Sequence, residues 1–152
     1  MDKPRIVFAS DHAGFQYKSI LSLFLESKGY TILDVGCTSA EPTDFPIYAK
    51  LGCEKIINKE AELGVFICGS GIGISIAANR YNGIRCAVCH DYFTATNCRL
   101  KDHANVIALG ERVLGIEVAK QMVEAFVATV CNMENPDYGR RAAMIDSIMD
   151  NE

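Results

Sequence analysis

The feature that most limits how this chain can fold is an alternation repeated five times: a short apolar or β-branched run, then a longer segment with apolar residues at helical spacing. The short runs are "RIVFAS" (5–10), "YTILDVG" (30–36), "LGVFIC" (63–68), "GIRCAVC" (83–89) and "NVIALG" (105–110), all read as strands. Helices are expected over 15–28, 47–59, 72–80, 91–100 and 115–131, with a terminal one over 138–149 after the break at Asn135 and Pro136. In the first, Ile20, Leu21, Phe24 and Leu25 have the helical spacing; in the long fifth helix, Val118, Ala119, Met122, Val123, Phe126, Val127 and Val130 make the expected buried stripe. Parallel neighbours need crossovers, and right-handed crossovers put helices on both faces of the sheet. The expectation is therefore a three-layer α/β/α sandwich around a five-stranded parallel, Rossmann-like sheet, one domain over 1–152.

In such sheets ligands bind at the carboxyl ends of the strands, where the strand order reverses. That edge collects "SDHAG", "GCTSAEPTDFP", "CGSGIG", "CHD" and "LGER". Composition narrows what could bind there. A net charge of −4 with scattered Lys and Arg gives no basic stripe for nucleic acid or an anionic membrane, so a small molecule is expected. No apolar run reaches the ~18 residues that would suggest a membrane span, and "MDKPRIVFASDHAG" lacks a secretory layout. Seven cysteines, an odd number set mostly in apolar runs, fit reduced thiols, so a cytoplasmic protein is expected.

The stretch "ICGSGIGISIAAN" (67–79) concentrates the chemistry at the seam between a strand and a helix. It is not a dinucleotide fingerprint, because position 74 is Ile, and it lacks the Gly-Lys-Ser/Thr ending of a phosphate loop. Two readings remain for its glycines: a tight turn that needs small residues, or a nest of N–H groups at Ser70, Gly71, Ile72 and Gly73 that holds an anion or a developing oxyanion. Cys68 favours the second, since a thiol beside a helix start has donors for its thiolate and can act as base or nucleophile. Cys37, Cys53 and Cys131 are read as core thiols. "CAVCH" (86–90) matches a haem-attachment pattern but lies in a strand read as buried, and Cys86, Cys89, His90, Cys98 and His103 have poor spacing for zinc. No metal and no cofactor are expected.

Asp11 and His12 lie just past the first strand, where a polar pair serves either as a helix cap or as a ligand contact. Arg112, Arg140 and Arg141 are candidate phosphate ligands, because guanidinium forks match phosphate oxygens.

Taken in order, "SDHAG", "TDFP", "ICGSGIGISIAAN", "GIRCAVC", "DHANVIALGERVLG" and "GRR" resemble the type B ribose-5-phosphate isomerases, a family that includes galactose-6-phosphate isomerase subunits. The resemblance spans nearly the whole chain. It implies a dimer or tetramer, homomeric, with sites shared between subunits, and metal-free interconversion of an aldose phosphate and its ketose. Cys68 would then be the base, with Gly69, Ser70, Gly71, Ile72 and Gly73 holding the enediolate oxygens. Asp11, His12 and Asp102 would contact the substrate, Asp44 would shape the pocket, and Arg112 and Arg140 would bind phosphate.

Three departures from the family's pattern bear on the substrate. The usual "HND" is "KDH" (101–103), so Lys101 stands in place of the ring-opening histidine. The usual "GGRHxxR" is "YGRRAAM", which keeps Arg140 but puts Arg141 for a histidine and Met144 for the second arginine. Phe45 replaces a common tyrosine. The expected reaction is ribose 5-phosphate to ribulose 5-phosphate, with His103 as the ring-opening group, Lys101 second and His12 third. The alternatives are an isomerase of another aldose phosphate, of the allose or galactose 6-phosphate type, or a sugar-phosphate-binding protein without turnover.

Overall fold

Among residues 2–150, which the computed structural model describes, five strands form one parallel sheet. They are β1 (Arg5–Ser10), β2 (Thr31–Asp34), β3 (Leu63–Cys68), β4 (Cys86–Val88) and β5 (Val106–Gly110), in the spatial order β2-β1-β3-β5-β4. The helices are α1 (Phe15–Ser27), α2 (Phe45–Ile57), α3 (Ile72–Ala78), α4 (Tyr92–Leu100), α5 (Ile116–Ala128) and α6 (Pro136–Asp146).

Successive strand residues point to opposite faces, and the core divides accordingly. Ile6, Phe8, Val65, Ile67, Ile107 and Leu109 pack with Leu21 and Leu25 of α1 and Met122, Val123 and Phe126 of α5. Val7, Ala9, Phe66, Cys68, Val106 and Ala108 pack on the other side with Ala49 and Cys53 of α2 and Ile74 and Ala78 of α3. This is the three-layer sandwich the alternation predicts. β3 has strands on both edges and helices on both faces, so all six of its residues are buried and its sequence is an unbroken apolar run.

Several expectations need correction. The strand expected over 83–89 is reduced to Cys86–Val88 and only half-buried, because β4 pairs with β5 alone at the sheet edge. The stripe on α5 is narrower than its spacing suggests: Val118 is exposed, and Val130 lies beyond the helix, which stops where the Thr129 hydroxyl turns back to donate to the Ala125 carbonyl. Ile20 is also exposed, and Cys131 is half-buried rather than core. The terminal helix starts earlier than expected, with Asn135 as its cap and Pro136 in its first turn, a place where the missing proline N–H costs nothing. It ends at Asp146, and a 3₁₀ turn covers Ser147–Asp150.

After β1 the chain moves outward to β2 and then crosses back past β1 to β3. That reversal opens a crevice at the carboxyl ends of β1 and β3.

Candidate active site

In the sheet register Ser10 of β1 faces Ile67 of β3, and Cys68 faces Gly110 of β5, so three strands end side by side. Beyond them lies a cavity of about 350 Å³, bordered by Asp11, His12, Phe45, Cys68, Ser70 and Arg112. Its size falls in the range of small-ligand pockets, ~300–1,000 Å³.

Cys68 closes β3 with its side chain buried on the α2/α3 face, and its sulfur accepts the Gly71 N–H at 3.2 Å. Gly71 has φ +79°, and a Cβ there would come within 2.9 Å of the Leu109 carbonyl carbon. Only glycine lets the turn lie this close to the end of β5. A Cβ at Gly73 would lie 2.8 Å from the Phe45 ring, so the first turn of α3 and the start of α2 also close on each other without space for a side chain. The nest reading is sharpened here. The Gly71 N–H goes to Cys68, and the Ile72 N–H donates to the Ser70 hydroxyl at 3.1 Å, so two of the expected amides are engaged within the loop itself.

Asp11 caps the 3₁₀ turn after β1, accepting the N–H groups of Ala13 at 3.0 Å and Gly14 at 3.2 Å through one carboxylate oxygen. Cap and cavity wall are the same residue. His12 receives the Thr43 N–H on Nδ1 at 3.1 Å; a backbone amide can only donate, so the neutral ring carries its proton on Nε2. Arg112 lies over Gly69, its Nη1 placed 3.2 Å from where a Cβ would be, and among the described residues no carboxylate pairs with it. A guanidinium that borders a cavity without a carboxylate partner is a ready anion ligand.

The other expected site residues lie elsewhere in the subunit. Asp44 is exposed at the start of α2 and makes no side-chain cap bond; the neighbouring Phe45 borders the cavity instead. Lys101 and Asp102 are exposed after α4. His103 sits in the left-handed region at φ +53°, its carbonyl accepts from Arg85, and its Nε2 is buried with no hydrogen-bond partner among the described residues. Arg140 pairs with Asp137 at 3.3 Å on α6, and Arg141 leans on the same carboxylate. Sequence reasoning missed the orienting role of Thr43, since a main-chain donor has no residue signature. It also missed Lys18, almost fully buried, which donates to Asp34 at 2.9 Å and to the Cys37 carbonyl at 2.6 Å and so anchors the loop that leads to Thr43.

Cys53 and Cys86 pack on the same face of the sheet as Cys68. Burial pushes Cys53 up to about 12 and raises Cys86 further, which suits packing rather than proton transfer. Among the described residues no group of three or more His, Cys, Asp or Glu side chains is placed to hold a metal ion, the 86–103 cluster included.

Comparison with known proteins places this geometry. The family model described as Ribose/Galactose Isomerase matches residues 6–146. The chain belongs to that family. Ribose-5-phosphate isomerase B of Escherichia coli (strain K12) is 41% identical over 81% of this chain and 83% of its own length. D-erythrulose-4-phosphate isomerase 2 of Mycolicibacterium smegmatis is 36% identical over 81% of this chain and 83% of its own. The solved ribose-5-phosphate isomerase B of Clostridium thermocellum superposes with a TM-score of 0.93 at 35% identity, covering 96% of this chain and 97% of that one. As a member of the ribose/galactose isomerases the chain is an aldose–ketose sugar-phosphate isomerase.

Proposed function

We propose that the protein interconverts ribose 5-phosphate and ribulose 5-phosphate through an enediolate, with Cys68 as the base. The observation that carries this reading is the shared cavity of Cys68, Gly69, Ser70, Gly73 and Arg112, the last with no carboxylate partner among the described residues. The Cys68 thiolate takes the C2 proton, the electron pair moves to form the C1–C2 double bond, and the C1 oxygen becomes negative. The amides of Gly69, Ser70 and Gly73 and the Ser70 hydroxyl stabilise that oxygen; the O2 hydroxyl proton then passes to O1, the C2 carbonyl forms, and the Cys68 proton is delivered to C1. Asp11 and the Nε2–H of His12 hold sugar hydroxyls, and Arg112 takes the phosphate. The step needs no metal or cofactor, and seven free thiols suit a cytoplasmic setting.

The protein acts as a homodimer or homotetramer in which one copy completes the other's site. Supporting this, Asp102, Arg140 and the ring-opening candidates Lys101 and His103 lie outside the cavity of their own subunit. Apolar side chains are also exposed on and around α6, among them Met133, Met144 and Ile148.

A second reading is favoured by Lys101. With no imidazole at that position, an aldose phosphate that never closes a ring is better served. In a tetrose 4-phosphate the C4 oxygen is esterified, so no furanose can form. Deuterium exchange at C2, measured in parallel with ribose 5-phosphate and erythrose 4-phosphate in deuterated water, separates the two. Faster exchange with the pentose supports the first reading, faster exchange with the tetrose supports the second, and no exchange with either sinks both.

A further inference from the structure

Cys89, directly after β4, and Cys98, in the last turns of α4, place their sulfurs 3.9 Å apart in the core layer beneath α5. Neither belongs to the isomerase cavity. A second cavity of about 220 Å³ is bordered by both thiols together with Thr94, Asn97, Asp102 and the exposed Phe93. That is ample for a peroxide-sized molecule, since one water needs only ~10–15 Å³. We propose that Cys89 and Cys98 are an oxidation site that closes to a reversible disulfide with a hydroperoxide.

Bonding brings the sulfurs to about 2.0 Å, roughly half their present separation. The Cys89 amide is held to the sheet by the Ala108 carbonyl, so the adjustment falls on the end of α4. The Cys98 carbonyl accepts the Ala104 N–H at 2.9 Å and thereby closes the loop that holds Lys101, Asp102 and His103. The disulfide therefore pulls on that loop. The division of roles between the sulfurs follows from their contact. In the neutral pair the Cys89 S–H donates to the Cys98 sulfur; once Cys89 loses its proton the contact reverses and Cys98 donates, and this contact, ahead of the opposing effect of burial, holds Cys89 below the ordinary thiol range and pushes Cys98 up.

Cys89 is accordingly the attacking sulfur. Its thiolate bonds to the distal oxygen of the hydroperoxide, the O–O bond breaks, and the alkoxide or hydroxide leaves with a proton as alcohol or water. Cys98 then attacks the Cys89 sulfenic acid, expelling hydroxide that departs as water with the Cys98 proton. Two electrons leave the sulfur pair and reduce the peroxide bond. A dithiol reductant reverses the product.

The test is peptide mapping of the intact protein after titration with hydrogen peroxide and an alkylating quench. The expected result is one linked peptide pair containing Cys89 and Cys98, lighter by two hydrogens and restored by dithiothreitol. In Cys98→Ala the Cys89 sulfenic acid should persist and be trapped by a carbon-acid probe. Full alkylation of both thiols after peroxide, or linkage of either to a different cysteine, overturns the proposal; the wild-type map decides this even if the variant does not fold.

Discussion

The Gly71 amide donates to the Cys68 sulfur across 3.2 Å, so the base proposed for proton transfer is held by the turn that leads from β3 into α3. Negative charge on that sulfur is met by a donor fixed in place before any ligand arrives.

Cys68→Ala is therefore expected to remove C2 proton exchange while leaving ligand affinity nearly intact. Loss of a general base costs about a hundredfold to ten-thousandfold in rate. Exchange measured by proton NMR at wild-type speed in this variant rules the mechanism out. Turnover should also continue unchanged in excess chelator.

Arg112 borders the cavity and has no carboxylate partner among the described residues, whereas Arg140 is paired with Asp137 outside it. Arg112→Ala should raise KM for a sugar phosphate more than it lowers kcat, as expected for a contact equal in ground and transition states. If Arg140 serves the partner's site, mixing Cys68→Ala with Arg140→Ala protein should restore activity through hybrid oligomers with one intact site. A mixture no more active than its separate components argues against sharing.

Ring opening falls to His103 in the pentose reading, with Lys101 next. His103→Ala should then slow conversion of ribose 5-phosphate far more than that of erythrose 4-phosphate. Equal slowing of both substrates, or an effect only in Lys101→Ala, moves the role away from His103.

Acid should loosen α4. The Thr94 amide and hydroxyl hold the Asp91 carboxyl below the usual carboxylate range, so this cap stabilises the fold fully above the unfolded value near ~3.9 and loses its contribution as pH falls through the lower, folded value. Between pH ~7 and ~3 the melting temperature of Asp91→Ala should fall less than that of the wild type. Parallel curves contradict this.

Lys18→Met should destabilise the fold by about 1–3 kcal/mol, since the Cys37 carbonyl loses its donor while half-exposed Asp34 regains water. Urea denaturation at constant m-value measures it, and an unchanged midpoint contradicts it.

What could be read beforehand follows the physics of each position. β1, β3 and β5 announce themselves because strands covered on both faces must be apolar throughout. "GIRCAVC" has the same appearance, yet β4 has one strand neighbour, a fact of tertiary order that composition does not contain. Cys68, Ser70, Asp11, His12 and Arg112 were legible as cavity residues because each ends a strand or lies within two residues of its end, at the one edge where a parallel sheet gathers ligands. The places of Lys101, His103 and Arg140 depend on how α4 ends and where α6 packs. The Thr43 contact to His12 is made by main chain, so any residue but proline would leave the same trace.

The position of β5 between β3 and β4 also has a consequence for synthesis. Made after β4 yet inserted inside it, β5 supplies the only strand to which β4 pairs among the described residues. A nascent chain that has emerged only as far as residue 100 has an open edge on β3 and nowhere to dock β4. The ribosome must therefore extrude the chain through Gly110 before the sheet can close, and the edge left waiting on β3 is the point at which a chaperone would have most to protect.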